Sequence, residues 1–84
     1  MYYIYVLQSK VDKSLYIGYT KDLINRLKEH NAGKTKSIKH KIPFALIYYE
    51  TYKSKTDARK REISLKKNSY QKEQLIKRLE NSLK

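Results

Sequence analysis

The sequence predicts an α+β domain of order ββαβαα, built on a three-stranded, mainly antiparallel sheet flanked by helices. Three observations carry that expectation. Two β-forming runs near the start, "YYIYVLQ" and "LYIGYT", are separated by a polar break. A third such run, "FALIYYETY", follows Pro43. The stretches after the second and third runs carry apolar residues at helical spacing. Eighty-four residues are too few for two cores, so residues 1–84 are expected to form one domain with its last few residues frayed.

Each element has its own warrant. The first strand is expected over Tyr2 to Gln8, the turn over Ser9 to Ser14, and the second strand over Leu15 to Thr20. Alternation along these strands assigns Ile4, Val6, Leu15 and Ile17 to the core, with Tyr2 and Tyr19 on the same face. Tyr5, Tyr16 and Gly18 share the opposite face. There Gly18, lacking a side chain, is expected to open space beside the two phenols for a ligand backbone. Asp22 to Asn31 reads as a helix with Thr20 or Asp22 as cap, Leu23 and Leu27 as apolar stripe, and Gly33 as its end. Residues 34–42 are basic and without clear periodicity, and Pro43 pushes Ile42 toward extended geometry. Phe44 to Tyr52 is apolar enough to be buried on both faces, as a central strand would be. Two helices complete the chain. One runs from about Lys55 to Asn68 behind Ser54 or Thr56, and one from Tyr70 to Leu83 with Leu75, Ile76, Leu79 and Leu83 in register.

Charge narrows the function. Twenty Lys and Arg against eight Asp and Glu leave a net charge of +12. Such an excess repels itself on a small body and answers to a polyanionic partner, nucleic acid above all. A membrane is not the expected partner, because the longest apolar run, near Tyr2 to Leu7, is far short of the ~20 residues a spanning helix needs. That run also lacks the basic flank and small-residue site of a signal peptide. The absence of cysteine excludes disulfides and thiolate metal sites and fits a cytoplasmic setting, and two histidines argue against structural zinc.

Two features hint at chemistry. Arg26 and His30 lie four residues apart on the first helix, within roughly 60° of the Leu23 and Leu27 stripe, near the tyrosine face. Glu62 lies beside the Ala58 and Leu65 stripe, where a carboxylate needs a partner. A salt bridge to Arg59 or Lys66 would satisfy it without any function.

"YIY" (Tyr3 to Tyr5), ten residues, "YIG" (Tyr16 to Gly18), Arg26, "HNAG" (His30 to Gly33) and "ARKREISLKK" (Ala58 to Lys67) follow one another in this order. Together they resemble the GIY-YIG nuclease family, and most of all its small stand-alone bacterial members. The resemblance implies the ββαβαα fold, a single Mg²⁺ or Mn²⁺ ion, and endonucleolytic hydrolysis of phosphodiester bonds in DNA. By position it implies Tyr5 and Tyr16 as the motif tyrosines, Arg26 as the catalytic arginine, His30 at the His-or-Tyr position and Glu62 as the metal ligand. Two departures stand out. Tyr3 occupies the place of the first motif's glycine, and Asn68 is the only nearby counterpart of an asparagine that several members carry after the glutamate.

The chemistry explains the residue types. Arg26 offers a planar fork to phosphate oxygens, and one carboxylate suits one hydrated ion. Tyr5 or Tyr16 would take a proton from water; a phenolate at pH 7 costs about 4 kcal/mol from a normal pKa, which nearby cations reduce. Lys34, Lys36, Lys39, Lys41, Lys66 and Lys67, with Gly18, are expected to follow the nucleic-acid backbone, which carries no sequence information. Little sequence specificity is therefore expected. Two other readings remain open: a nucleic-acid-binding module with little turnover, and a basic interaction protein whose tyrosines only pack.

Overall fold

The computed structural model describes residues 1–83. Strands β1 (Tyr2–Ser9) and β2 (Leu15–Thr20) form an antiparallel hairpin, followed by helix α1 (Leu23–Asn31) and strand β3 (Phe44–Tyr52). Helices α2 (Lys55–Lys67) and α3 (Ser69–Arg78) close the order ββαβαα. All strand pairs are antiparallel, in the order β2-β1-β3.

The central strand is β1, not β3. The expectation of a central β3 is corrected because apolar residues on both faces of a strand report covering layers, not two hydrogen-bonded neighbours. The tight hairpin places β2 on one edge of β1, and the α1 connection returns β3 to the other. A bulge breaks the β1–β3 ladder: Val6 pairs with Tyr48 but Leu7 pairs with Leu46, leaving Ile47 as an extra residue. Phe44 and Leu46 therefore share the Tyr5 face before the bulge, and Tyr49 and Thr51 share it afterwards. Tyr48, Glu50 and Tyr52 turn to the other face.

Both faces are packed. On one, Ile4, Val6 and Ile17 meet Ala58 and Leu65 of α2 and Leu75 and Leu79 at the end of α3. Leu15, Tyr2 and Tyr19 pack around this core as expected, and the last two stack with ring centroids 6.3 Å apart. The opposite face holds a second core of Tyr5, Leu7, Ile38 and Phe44, with Leu23 and Leu27 of α1, Ile42 and Leu46 against it. This corrects the picture of an open tyrosine face. Alternation assigns residues to faces but does not reveal that residues 34–42, which lack periodicity, supply Ile38 and Ile42 as a lid.

Local chemistry sets the boundaries. Asp22, Ser54 and Asn68 cap the three helices by accepting the backbone N–H of Asn25, Asp57 and Gln71. Asn68 is thus occupied as a helix cap. Gly33 ends α1 at φ +76°, with its N–H donating to the His30 carbonyl at 3.1 Å. A single 3₁₀ turn over Lys39–Lys41 and a cis Ile42–Pro43 bond lead into β3. Helix α3 stops at Arg78 rather than Leu83, because the N–H of Leu79 is already shared between Leu75 and Ile76 carbonyls as the turn tightens. Leu79 and Leu83 reach the core nonetheless. Lys84, among the residues expected to fray, lies outside the described residues.

Candidate active site

Tyr5 occupies the middle of the central strand, and its side chain is directed by what lies beside it. The ring covers the bare backbone of Gly18 on β2, occupying the space a β-carbon would need. Gly18 therefore makes room for Tyr5 rather than for a ligand, which corrects its expected role in nucleic-acid contact. A side chain large enough to fill the gap was already in the same sheet.

The phenol ends against α1. Its hydroxyl is 2.8 Å from Nε2 of His30, and Nδ1 of His30 is 2.9 Å from the Thr35 hydroxyl. Tyr5 and His30 are both fully buried, so this three-residue chain is sealed from water on most sides. His30 sits deeper than the stripe edge predicted from the helical wheel. The chain's reversal at Gly33 brings Thr35 back over the imidazole; no periodic signal in the sequence announces that contact.

Burial governs the protonation of both groups. It pushes the Tyr5 phenol up to about 12, against the opposing pull of the neighbouring Arg26 guanidinium. Five units above pH 7 correspond to about 7 kcal/mol for forming the phenolate in the free protein. Tyr5 thus holds its proton at rest. Burial, and then the Arg26 charge, lower the pKa of His30, so its imidazole stays neutral and can accept a proton.

The other expected residues gather around this pair. Tyr16, on the outer strand β2, sets its ring edge-on to His30 with centroids 5.1 Å apart, and 6.3 Å from the Tyr5 ring. Arg26 stands beside the Tyr5 hydroxyl, half-exposed, and pairs with Glu29 at 3.5 Å. Glu62 comes from α2, one turn from each of the buried Ala58 and Leu65, and its charge is felt at Tyr5. Its side chain is only 13 % exposed, and its oxygens face Arg59 at 3.4 Å and Lys66 at 3.2 Å. Lys66 also lies 5.9 Å from the Tyr16 ring centroid, linking the glutamate to the tyrosine.

The lysines divide. Lys34, Lys36, Lys39, Lys66 and Lys67 are exposed. Lys41 is engaged at the β1–β2 turn, at 3.6 Å from Asp12 and donating to Ser14 at 3.1 Å, and is only partly exposed, whereas Lys66 is exposed but paired with Glu62. Ser9 explains why that turn lies so close: its buried hydroxyl donates to the Lys41 carbonyl at 2.6 Å.

A polar anchor absent from the sequence reading holds α2, and with it Glu62. Arg61 donates to both oxygens of Glu50 at 2.9 and 3.0 Å, while Tyr48 and Tyr52 donate to the same carboxylate at 2.6 Å each. Gln71 of α3 accepts from Arg61 at 3.3 Å. One carboxylate thus joins β3, α2 and, through Arg61, α3.

Residues 1–84 match the family described as the GIY-YIG catalytic domain. The chain belongs to the GIY-YIG family. A UPF0213 protein of Streptococcus pyogenes serotype M3 is 46% identical over 74 residues, covering 87% of this chain and 79% of the relative. Another, from the serotype M5 strain Manfredo, is 45% identical with the same coverage. The solution NMR structure of a UPF0213 protein from Bacillus halodurans superimposes with a TM-score of 0.57 at 38% identity, covering 92% of this chain and 84% of that one. GIY-YIG membership implies nuclease activity and a nucleic-acid substrate. Among the described residues no helix is long and apolar enough to cross a membrane.

Proposed function

We propose that this GIY-YIG protein is a metal-dependent endonuclease that hydrolyses phosphodiester bonds in DNA with little sequence specificity. The observation that carries the reading is the buried Tyr5–His30–Thr35 hydrogen-bond chain beside the half-exposed Arg26. Any buried phenol needs a hydrogen-bond partner; here the partner is an imidazole that is itself bonded to Thr35, with an arginine alongside, and that combination supports proton transfer beside a phosphate.

The chain's own residues divide the work. With Nδ1–H donating to Thr35, Nε2 of His30 is left to accept from Tyr5. As the attacking water gives its proton to the Tyr5 oxygen, Tyr5 passes its own proton to His30, so no free phenolate forms. This relay avoids the cost of ionising a buried phenol. Tyr16, nearer the surface, orients the water or the phosphate. Arg26 engages the non-bridging oxygens and stabilises the charge that develops there. The P–O bond to the leaving oxygen then breaks, and that oxygen takes a proton from solvent.

Glu62 fits the single ion. Among the described residues no three His, Cys, Asp or Glu side chains gather as a cage, so a cation here would rest on Glu62, water and substrate. That is how Mg²⁺ commonly binds beside phosphates. Arg59 and Lys66 are exposed enough to yield the carboxylate. Mg²⁺ or Mn²⁺ held by Glu62 would supply Lewis-acid neutralisation at the phosphate. Lys34, Lys36, Lys39, Lys66 and Lys67 would follow the backbone.

A second reading, a binding module with little turnover, is favoured by the two ion pairs that already engage Glu62. Incubation with single- and double-stranded DNA and with RNA, in Mg²⁺, Mn²⁺ or EDTA, separates the two. The nuclease reading expects DNA cleavage that EDTA and Glu62→Ala abolish and that Tyr5→Phe slows at least ~100-fold. Binding without cleavage, indifferent to Glu62→Ala, would establish the module instead. Full activity in both Tyr5→Phe and Tyr16→Phe would remove the tyrosines from the chemistry.

A further inference from the structure

Helix α1 and the lid segment leave part of the Tyr5 face uncovered. A cavity of about 420 Å³ opens there between the sheet and the first turn of α1. Its sheet side is made by Tyr3, Tyr49 and Leu46, and its helix side by Lys21 and Ile24. Asp22 also borders it, with its carboxylate engaged in capping Asn25.

We propose that this cavity is a nucleobase subsite. An unpaired base of the strand bound at the Tyr5 site would insert against the Tyr3 and Tyr49 rings, with Lys21 on an adjoining phosphate. The inference rests on the nuclease reading and adds to it the class of substrate: a strand with at least one base free of its duplex.

Four observations point to this occupant. The Tyr3 and Tyr49 rings meet edge to face, with centroids 6.2 Å apart, presenting two aromatic surfaces at one mouth. Tyr49 is 52 % and Ile24 72 % exposed, so apolar surface is left waiting for a flat, partly apolar partner. Lys21 and the net charge of +12 favour an anionic carrier of that partner. Finally, the cavity lies on the sheet face that carries Tyr5. Tyr49 is the cross-strand partner of Tyr5, and Tyr3 precedes Tyr5 by two residues on the same face. A duplex keeps its bases within the stack, so only an unpaired or extruded base can offer its face. Tyr3 also gains a purpose, since glycine in its place would provide no ring.

The test uses the full chain in EDTA at fixed low salt, with a labelled thymidine 12-mer and an abasic 12-mer carrying the same phosphates. The wild-type protein is expected to prefer the strand with bases. Tyr49→Ala should weaken that strand by roughly 5- to 150-fold while leaving the abasic strand unaffected, and Tyr49→Phe should retain most of the affinity. Tyr3→Leu, which keeps bulk in the strand, gives a second reading of the same kind. Equal binding of both strands by wild type, or equal loss on both in Tyr49→Ala, would overturn the subsite. Metal-dependent cleavage is scored separately. Cleavage without base preference removes the subsite and keeps the nuclease; base preference without cleavage keeps the subsite and removes the nuclease.

Discussion

Gly18→Ala adds one methyl group at the point where Tyr5 crosses β2. The new β-carbon would overlap the end of the phenol ring, and the ring cannot swing away while buried and bonded to His30. A loss of about 1–3 kcal/mol is expected from overpacking, read as a lower urea midpoint, together with reduced cleavage. His30 carries a pH signature. Its folded pKa is lowered by burial and then by Arg26, so just below pH 6.5 the unfolded chain binds the extra proton and the folded chain does not. Its contribution is complete above that pH and declines as the pH falls toward the depressed folded value. Urea midpoints measured from pH 8 to pH 5 should fall in wild type, and fall less in His30→Asn. The family resemblance picks out Tyr5, Tyr16, Arg26, His30 and Glu62, and their order along the chain is legible in the sequence. Their settings are less so. Gly18 reads as an opening in the sequence, because a glycine's emptiness is visible there while the ring that fills it is not.

Helix α2 buries only Ala58 and Leu65, a thin apolar stripe for thirteen residues. The Glu50–Arg61 pair therefore does much of the fastening. Burial alone would raise the Glu50 pKa, but hydrogen bonds from Arg61, Tyr48 and Tyr52 outweigh it, and the carboxylate stays ionised below its usual range. Arg61→Met removes two of those donors and is expected to cost about 1.5–3 kcal/mol. Because α2 carries Glu62, the apparent affinity for Mg²⁺ in cleavage assays should fall as well. If stability drops while metal dependence is unchanged, α2 keeps its place without this anchor. At this scale β2 and β3 were legible to the residue, since hydrophobic runs bounded by polar turns and Pro43 mark their ends. The Glu50 cluster was not, because it depends on which face Tyr48, Glu50 and Tyr52 occupy. The bulge at Ile47 decides that, and one inserted residue reverses every face beyond it.

For the whole molecule, charge was the plainest message of the composition, and the fold spends part of it internally. Lys41 is tied to Asp12 and Ser14, leaving exposed five of the six lysines expected to follow a nucleic-acid backbone. If each neutralises one phosphate, the log–log dependence of affinity on salt should have a slope of roughly −3.5 on single strands and −4.5 on duplex. Fluorescence anisotropy across a salt series measures it, and a slope near zero would disconnect the charge from binding. The position of β3 has a separate bearing on how copies of this chain meet. Its nine residues, "FALIYYETY", contain neither lysine nor proline and lie at the rim of an open sheet. Such a rim invites another chain to extend the sheet, and from there to aggregate. The irregularity at Ile47 breaks the even row of outward N–H and C=O groups and sharpens the local twist, so an incoming strand finds no flat template. The residue that turns Tyr49 toward Tyr5 thus also guards an apolar edge strand against joining its own kind.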